Sequence, residues 1–427
     1  MRKTLLGAVG VVLLLGAAWF LWLKPEDRGR PRFFADQAYN FEAIRVLNDI
    51  AIAGGDTGET LQAITGVKAG DAEGWYAAWS AAGDRTAALA AQTKDRIDRG
   101  NALLRAHTYY RSAEFFLAPQ DSKRPALWQK NIDAFYRGLD TLGVAYERIA
   151  VPYGEHQLHA VYYPGPPGAE KRPLLVVVGG YDSTMEELYM GTAAAAHQHG
   201  YAVLTYEGPG QGSIIREQGL VFQPDWEKPN GAVLDTFLAS HPAPAKIVLF
   251  GESLGGYLAP RAAAFDKRID GVVAFDVFYD GGAIASSKVP HFAVWLNEHG
   301  YTGVLQALNG LIANPGVTWA QQNGEWVFGV STPFAVLDAF KAYTLAPVAG
   351  QITADVLVFA GADDHFVPAD QLDAFRGSLT HARSVTAQRF DRASGGSEHC
   401  QLGAPSLWQG VLFDWLDEKF PSTGEAK

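Results

Sequence analysis

Short, nearly uniform apolar runs recur from His159 towards the end of the chain, and they leave few folds open. They read HAVYYP from His159, PLLVVVGG from Pro173, YAVLTYEG from Tyr201, KIVLFGES from Lys246, GVVAFDV from Gly271, DVLVFAG from Asp355 and SVTAQRF from Ser384. Runs this rich in Val, Leu and Ile suit strands covered on both faces. Helical patterns fall between them, over residues 185–199, 232–240, 253–265, 369–378 and 406–419. Strand alternating with helix is the pattern of βαβ units, so the expected class is α/β with a mostly parallel central sheet. One stretch, about 280–351, breaks the alternation and is rich in Trp, Phe and Leu. An insertion of that length in such a sheet reads as a helical lid.

Ahead of the sheet, apolar and aromatic positions recur at helical spacing: Trp75 and Trp79, then Tyr109, Ala113 and Phe116. Stripes of this kind are packing faces before they are anything else. The expected organisation is a leading segment over 1–30, a helical cap domain over 31–145 and an α/β body over 146–427 carrying the lid. Of 427 residues, 48% are hydrophobic and 19% charged, enough for a sizeable core. Net charge is −11 and no basic run forms a nucleic-acid footprint, so no nucleic-acid partner is expected. The lone cysteine, Cys400, cannot form an internal disulfide. There is no metal-ligand spacing around it and no H-E-x-x-H or Walker loop, so neither metal nor cofactor is expected.

The leading segment places Arg2 and Lys3 before an uncharged run from Thr4 to Leu23, with Trp19 and Trp22 near its far end. That run is long enough to cross a bilayer, and the two Trp suit an interfacial belt. It continues past Gly16, Ala17 and Ala18, which favours a single-pass anchor over a signal peptide cut there. The short basic start places the body outside the cytoplasm, on the periplasmic side of a bacterial membrane. A homodimer stays open.

The stretch FGESLGGYLAPRAAA carries the chemistry. Gly251-Glu252-Ser253-Leu254-Gly255 matches G-x-S-x-G, little by itself in a chain with 46 glycines. Its setting is informative: a buried-strand run ends at the motif and a helix pattern begins after it, the strand–turn–helix of a nucleophile elbow. A serine nucleophile needs a base, and the base a carboxylate to orient it. GADDHFVP follows a strand and offers Asp363 and Asp364; the spacing from acid to proline favours Asp364, leaving Asp363 as a loop cap. His399, in SGGSEHCQLG before the last helix, stands where the base belongs. VVVGGYDSTMEELY supplies oxyanion donors near Gly180 and Tyr181, to act with the N–H of Leu254. YEGPGQGS is not a dinucleotide loop, because its glycines run G-x-G-x-G. In the lid, Phe292 and Trp295 are the expected substrate contacts, with Trp326 and Phe334 beside them; packing within the lid explains these rings equally well.

Taken together, GGYDSTMEELY, YEGPGQG, GESLGGYLAPRAAAFDKRI, GADDHFVP and EHCQLG resemble the α/β-hydrolases with an N-terminal helical domain. That group includes the 2,6-dihydroxypseudooxynicotine hydrolase type, the fungal polyketide-shortening hydrolases and the FrsA-like esterases. GWYAAWSAAGDR and HTYYRSAEFFL resemble its first domain. The resemblance implies a Ser253–Asp364–His399 triad beneath a partly N-terminal cap. It also implies cleavage of an ester or of a carbon–carbon bond next to a ketone, while the lid rings suggest an apolar or aromatic small-molecule substrate. A peptidase acting on short peptides and an inactive membrane-tethered binding protein are the competing readings.

Overall fold

The computed structural model describes residues 33–289 and 314–422, with 293, 295, 296, 299–301 and 303. Eight strands form one sheet: β1 (Glu147–Tyr153), β2 (His156–Tyr163), β3 (Leu174–Val178), β4 (Val203–Glu207), β5 (Ile247–Glu252), β6 (Gly271–Phe275), β7 (Asp355–Gly361) and β8 (Ser384–Phe390). Their order is β1-β2-β4-β3-β5-β6-β7-β8. From β4 to β8 neighbours run parallel, while β1 and β2 pair antiparallel with each other and β2 with β4. Every residue of β3, β4, β6 and β7 is buried, which is why those runs carry no polar alternation. The sequence reading missed β1. It is an edge strand, mostly exposed, with Pro152 inside it, and it has no buried run to betray it.

Among the described residues five α-helices precede the sheet: α1 (Gln37–Asn48), α2 (Thr57–Ile64), α3 (Ala72–Gln92), α4 (Arg96–Glu114) and α5 (Arg124–Leu142). Asp36, Asp56, Asp71 and Asp95 cap the first four, each accepting from backbone N–H groups of the first turn. Trp75, Trp79 and Tyr109 are fully buried between these helices, and Trp75 Nε1 donates to the Ser112 carbonyl at 2.8 Å. The aromatic stripes are therefore the core of this region.

Three helices from the rest of the chain matter for the site: α6 (Gly255–Phe265) after β5, and α7 (Pro315–Phe328) and α8 (Pro333–Phe340) between β6 and β7. The helix expected over 185–199 is broken by a π turn at Tyr189–Ala193. The localisation expectation needs correcting. Among the described residues no helix is long and apolar enough to cross a membrane. The run from Thr4 to Leu23 that suggested an anchor lies outside the described residues, so the extracytoplasmic body is withdrawn with it.

Candidate active site

Ser253 sits at the sharp turn between β5 and α6. Its φ is +58°, in the left-handed region that L-residues rarely occupy. Its N–H donates to the Phe275 carbonyl at 2.5 Å, which ties the turn to the neighbouring strand β6. The flanking glycines are steric requirements. A Cβ on Gly251 would collide with the Gly255 carbonyl, and one on Gly256 with the Asp276 carbonyl. One on Gly255 would come within 2.7 Å of the Val178 oxygen.

The structure brings together the three side chains expected to meet. His399 Nε2 lies 2.8 Å from Ser253 Oγ, and His399 Nδ1 lies 2.6 Å from Asp364 Oδ2. The other oxygen of Asp364 accepts the N–H groups of Phe366 at 2.7 Å and Val367 at 2.9 Å, which fixes the carboxylate plane. Burial alone would raise Asp364. The His399 charge and hydrogen bond outweigh it and hold the carboxyl below its ordinary value. Burial likewise works against a charged His399, and Asp364 more than reverses it, so the imidazole stands well above its usual pKa. Asp363 points elsewhere, to the Arg392 guanidinium at 2.5 Å. Helix α1 roofs this chain of groups: the Phe41 ring lies 6.2 Å from that of His399 and 4.8 Å from that of His365. Gln37 Nε2 donates to Glu398 at 3.2 Å.

The loop after β3 passes against the serine. A Cβ on Gly180 would come within 2.7 Å of Leu254 N and 2.9 Å of Ser253 Cβ. The Gly180 N–H is spent on Ser183 Oγ at 2.9 Å. Gly180 thus contributes its lack of a side chain, not a donor as expected, which leaves the N–H groups of Tyr181 and Leu254 as the candidate pair. Tyr181 is clamped by α7: its hydroxyl donates to the Ala320 carbonyl at 2.8 Å and its own carbonyl accepts from Asn323 at 3.2 Å. Asp182 is gripped by the cap, by Arg45 at 2.8 Å and Arg111 at 3.3 Å. Those guanidiniums overcome the effect of burial and hold Asp182 below its ordinary pKa.

One residue here escaped the sequence reading. Asp276, just past β6, is buried and accepts from Cys400 N at 3.1 Å and from Gln401 Nε2 at 3.1 Å. Burial and the nearby Asp364 charge push it up to about 7. Ligand-type atoms of Asp276, Asp364 and His399 lie within 4.8 Å of one another, and each of these groups is already engaged in the hydrogen bonds above. Glu252, beside the serine, accepts from Thr192 Oγ1, and burial raises it to about 7. The signal for Asp276 was its place at the C-terminal end of a buried strand, the same cue that marked Asp364. Of the expected lid contacts, Phe292 lies outside the described residues. The Trp295 ring is half exposed and stacks on His299 and Tyr301, with centroids 4.2 and 5.9 Å away.

A family model described as the alpha/beta hydrolase family matches residues 174–394. Hydrolase acrC of Aspergillus aculeatus is 32% identical over 420 residues, covering 91% of this chain and 98% of that one. The chain belongs to the α/β-hydrolase family. It is an enzyme of hydrolase type. Within the α/β-hydrolases it is also 33% identical over 416 residues to the 20-hydroxy-prefusarin hydrolase FUS2 of Gibberella moniliformis, again 91% of this chain and 98% of the relative. Among solved structures, the 2,6-dihydroxy-pseudo-oxynicotine hydrolase superposes with a TM-score of 0.68 at 19% identity, over 89% of this α/β-hydrolase and 97% of the other chain. At that identity the likeness speaks for the fold, helical region included.

Proposed function

We propose that this α/β-hydrolase cleaves an ester, or an activated carbon–carbon bond next to a carbonyl, through a Ser253–His399–Asp364 triad and an acyl-enzyme. The observation that carries the reading is the unbroken hydrogen-bond chain from the Ser253 hydroxyl through His399 to Asp364, starting at a serine with positive φ. Ser253 Oγ attacks the carbonyl carbon while His399 Nε2 takes its proton. Asp364 keeps the imidazole oriented and stabilises it once charged. The N–H groups of Tyr181 and Leu254 receive the oxyanion, and α6, which starts just past Ser253, favours negative charge there. His399 then delivers its proton to the leaving group, an alkoxide from an ester or a carbanion from a β-diketone. Water attacks the acyl-enzyme, with His399 as base, and frees the acid. The substrate is a small molecule with apolar or aromatic character. Ser253→Ala, assayed on aryl esters and β-diketones, is expected to lose about 10³-fold or more in kcat. Turnover unchanged in that variant would overturn the reading.

A further inference from the structure

Directly after His399 the backbone takes a costly path. Cys400 and Gln401 both have positive φ, +50° and +45°, in the region that residues with a Cβ disfavour. Such residues persist where their surroundings hold them. Here the holding group is Asp276, just past β6 and 1% exposed. Its Oδ2 accepts from Cys400 N at 3.1 Å, and Gln401 Nε2 donates to both of its oxygens, at 3.1 and 3.2 Å. The same Oδ2 accepts from Gly361 N at 3.3 Å, where β7 leads into the loop of Asp364. A Cβ on Gly361 would come within 2.5 Å of the Ser397 and Glu398 oxygens, so the segment leading to His399 lies directly on that strand end. One carboxyl group therefore ties the turn carrying the candidate base to the strand carrying its acid.

The bonding also favours one charge state. Gly361, Cys400 and Gln401 all present N–H donors, which suit a carboxylate; a carboxylic acid would set its proton against one of them. That charge is close to the imidazole: side-chain oxygen or nitrogen atoms of Asp276, Asp364 and His399 lie within 4.8 Å of one another. Burial first, then the Asp364 charge, oppose ionisation and raise Asp276 to about 7, so above that pH the group is charged. Its place follows from the sheet order. Strand β6 lies between β5, which delivers Ser253, and β7, which leads to Asp364, so an acid at its end is within reach of both.

We infer that Asp276 is a positioning residue: its carboxylate holds the His399 turn against the Asp364 loop and adds a second negative charge beside the imidazole as that ring takes the serine proton. Asp364 accepts from the ring itself. Asp276 is spent on the turn and acts through His399, not on the substrate. As an aid to the reaction this rests on the serine-hydrolase reading; as a charge that sets the titration of His399 it does not. The other ionisable groups facing this cluster are Asp182 after β3, Glu252 at the elbow, His365 beside Asp364, Lys288 near Asp364, and Cys400 on the turn.

The test reads His399 itself. The full chain and Asp276→Asn are labelled with 13C-histidine, and the His399 ring signal, assigned by its loss in His399→Gln, is followed by NMR against pH. Asn keeps the shape of the group. Its oxygen can accept from Cys400 N, and the Gln401 amide can turn to offer Oε1, a buried atom without a partner, to the new NH2. What the variant lacks is the charge. The His399 midpoint is expected to fall by about one pH unit, and kcat on para-nitrophenyl acetate, read on the alkaline plateau, by about tenfold with KM within about twofold. Stability separates this from a purely structural role. A carboxyl raised from 3.8 to about 7 stabilises the fold fully below 3.8 and loses that contribution as pH rises through about 7. The neutral Asn variant is therefore expected to melt no lower than the wild type at about pH 8. Should Asp276→Asn not fold, Gln401→Met decides by the same titration: it strips a donor that favours the carboxylate, and the His399 midpoint falls. An unmoved midpoint, or a loss of activity matched by a lower melting temperature, would overturn the inference. A midpoint that falls in a protein whose Ser253 proves inert would sink the hydrolase mechanism and leave the charge assignment standing.

Discussion

At the residue scale, the work falls on a few side chains whose surroundings set their protonation. In the proposed mechanism neutral His399 is the base, and Asp364 lifts its pKa well above the ordinary value of 6.5. The sign follows directly: activity needs the deprotonated imidazole, so kcat/KM rises with pH along a limb whose midpoint lies above 6.5. Asp364→Asn removes the charge that lifts it. The limb then moves to lower pH while kcat falls by roughly 10³–10⁴-fold. A pH–rate profile of both proteins checks this, and a limb that stayed in place would place the controlling charge elsewhere. Ser253, Asp364 and His399 were legible in the sequence because each follows a strand run that advertises the rim of the sheet. Asp276 was passed over because it is the last polar position of GVVAFDV, where it reads as part of the strand.

Elements come next, and the N-terminal helices reach the candidate site through charge pairs. From α1 and α4, Arg45 and Arg111 converge on Glu42, Asp182 and Glu187, at distances from 2.6 to 3.3 Å. Asp182 adjoins Tyr181, so this buried network sets the position of a candidate oxyanion donor from outside the sheet. Arg45→Met leaves Asp182 and Glu187 short of a partner in a buried site. It is expected to cost about 3 kcal/mol of stability and to lower kcat more than it raises KM, with Arg45→Lys recovering part of the kcat loss. Unfolding curves and steady-state kinetics on the three proteins test it; a pure KM effect would speak against a positioning role. None of this pairing was legible, because Arg45 and Asp182 are 137 residues apart and nothing local links them. The strands were legible where burial makes them uniformly apolar. The exposed edge strand β1 and the π turn inside the 185–199 helix were not, because local composition at those places matches a loop and a plain helix.

At the scale of the whole molecule, several buried acids are raised by burial. Asp49, Glu252 and Asp276 are each raised by burial to about 7, and Glu186 to about 8. A carboxyl raised on folding stabilises the folded state while protonated, fully so below its unfolded value near 4, and loses that contribution as pH rises through its folded pKa. The melting temperature is therefore expected to fall as pH rises through about 7 to 8, and Asp49→Asn to flatten the slope. A melting temperature that climbed across that range would contradict it. The mostly parallel sheet and the helical region ahead of it were legible from periodicity; how the two meet was not, since that junction is built from charges and single aromatic rings. The account stands or falls on Ser253 being the activated nucleophile. Intact-mass analysis after treatment with a fluorophosphonate, followed by peptide mapping, tests this most directly. One adduct is expected, on Ser253, absent in Ser253→Ala and formed far more slowly in His399→Ala; an unmodified Ser253, or an adduct on another residue alone, would contradict it.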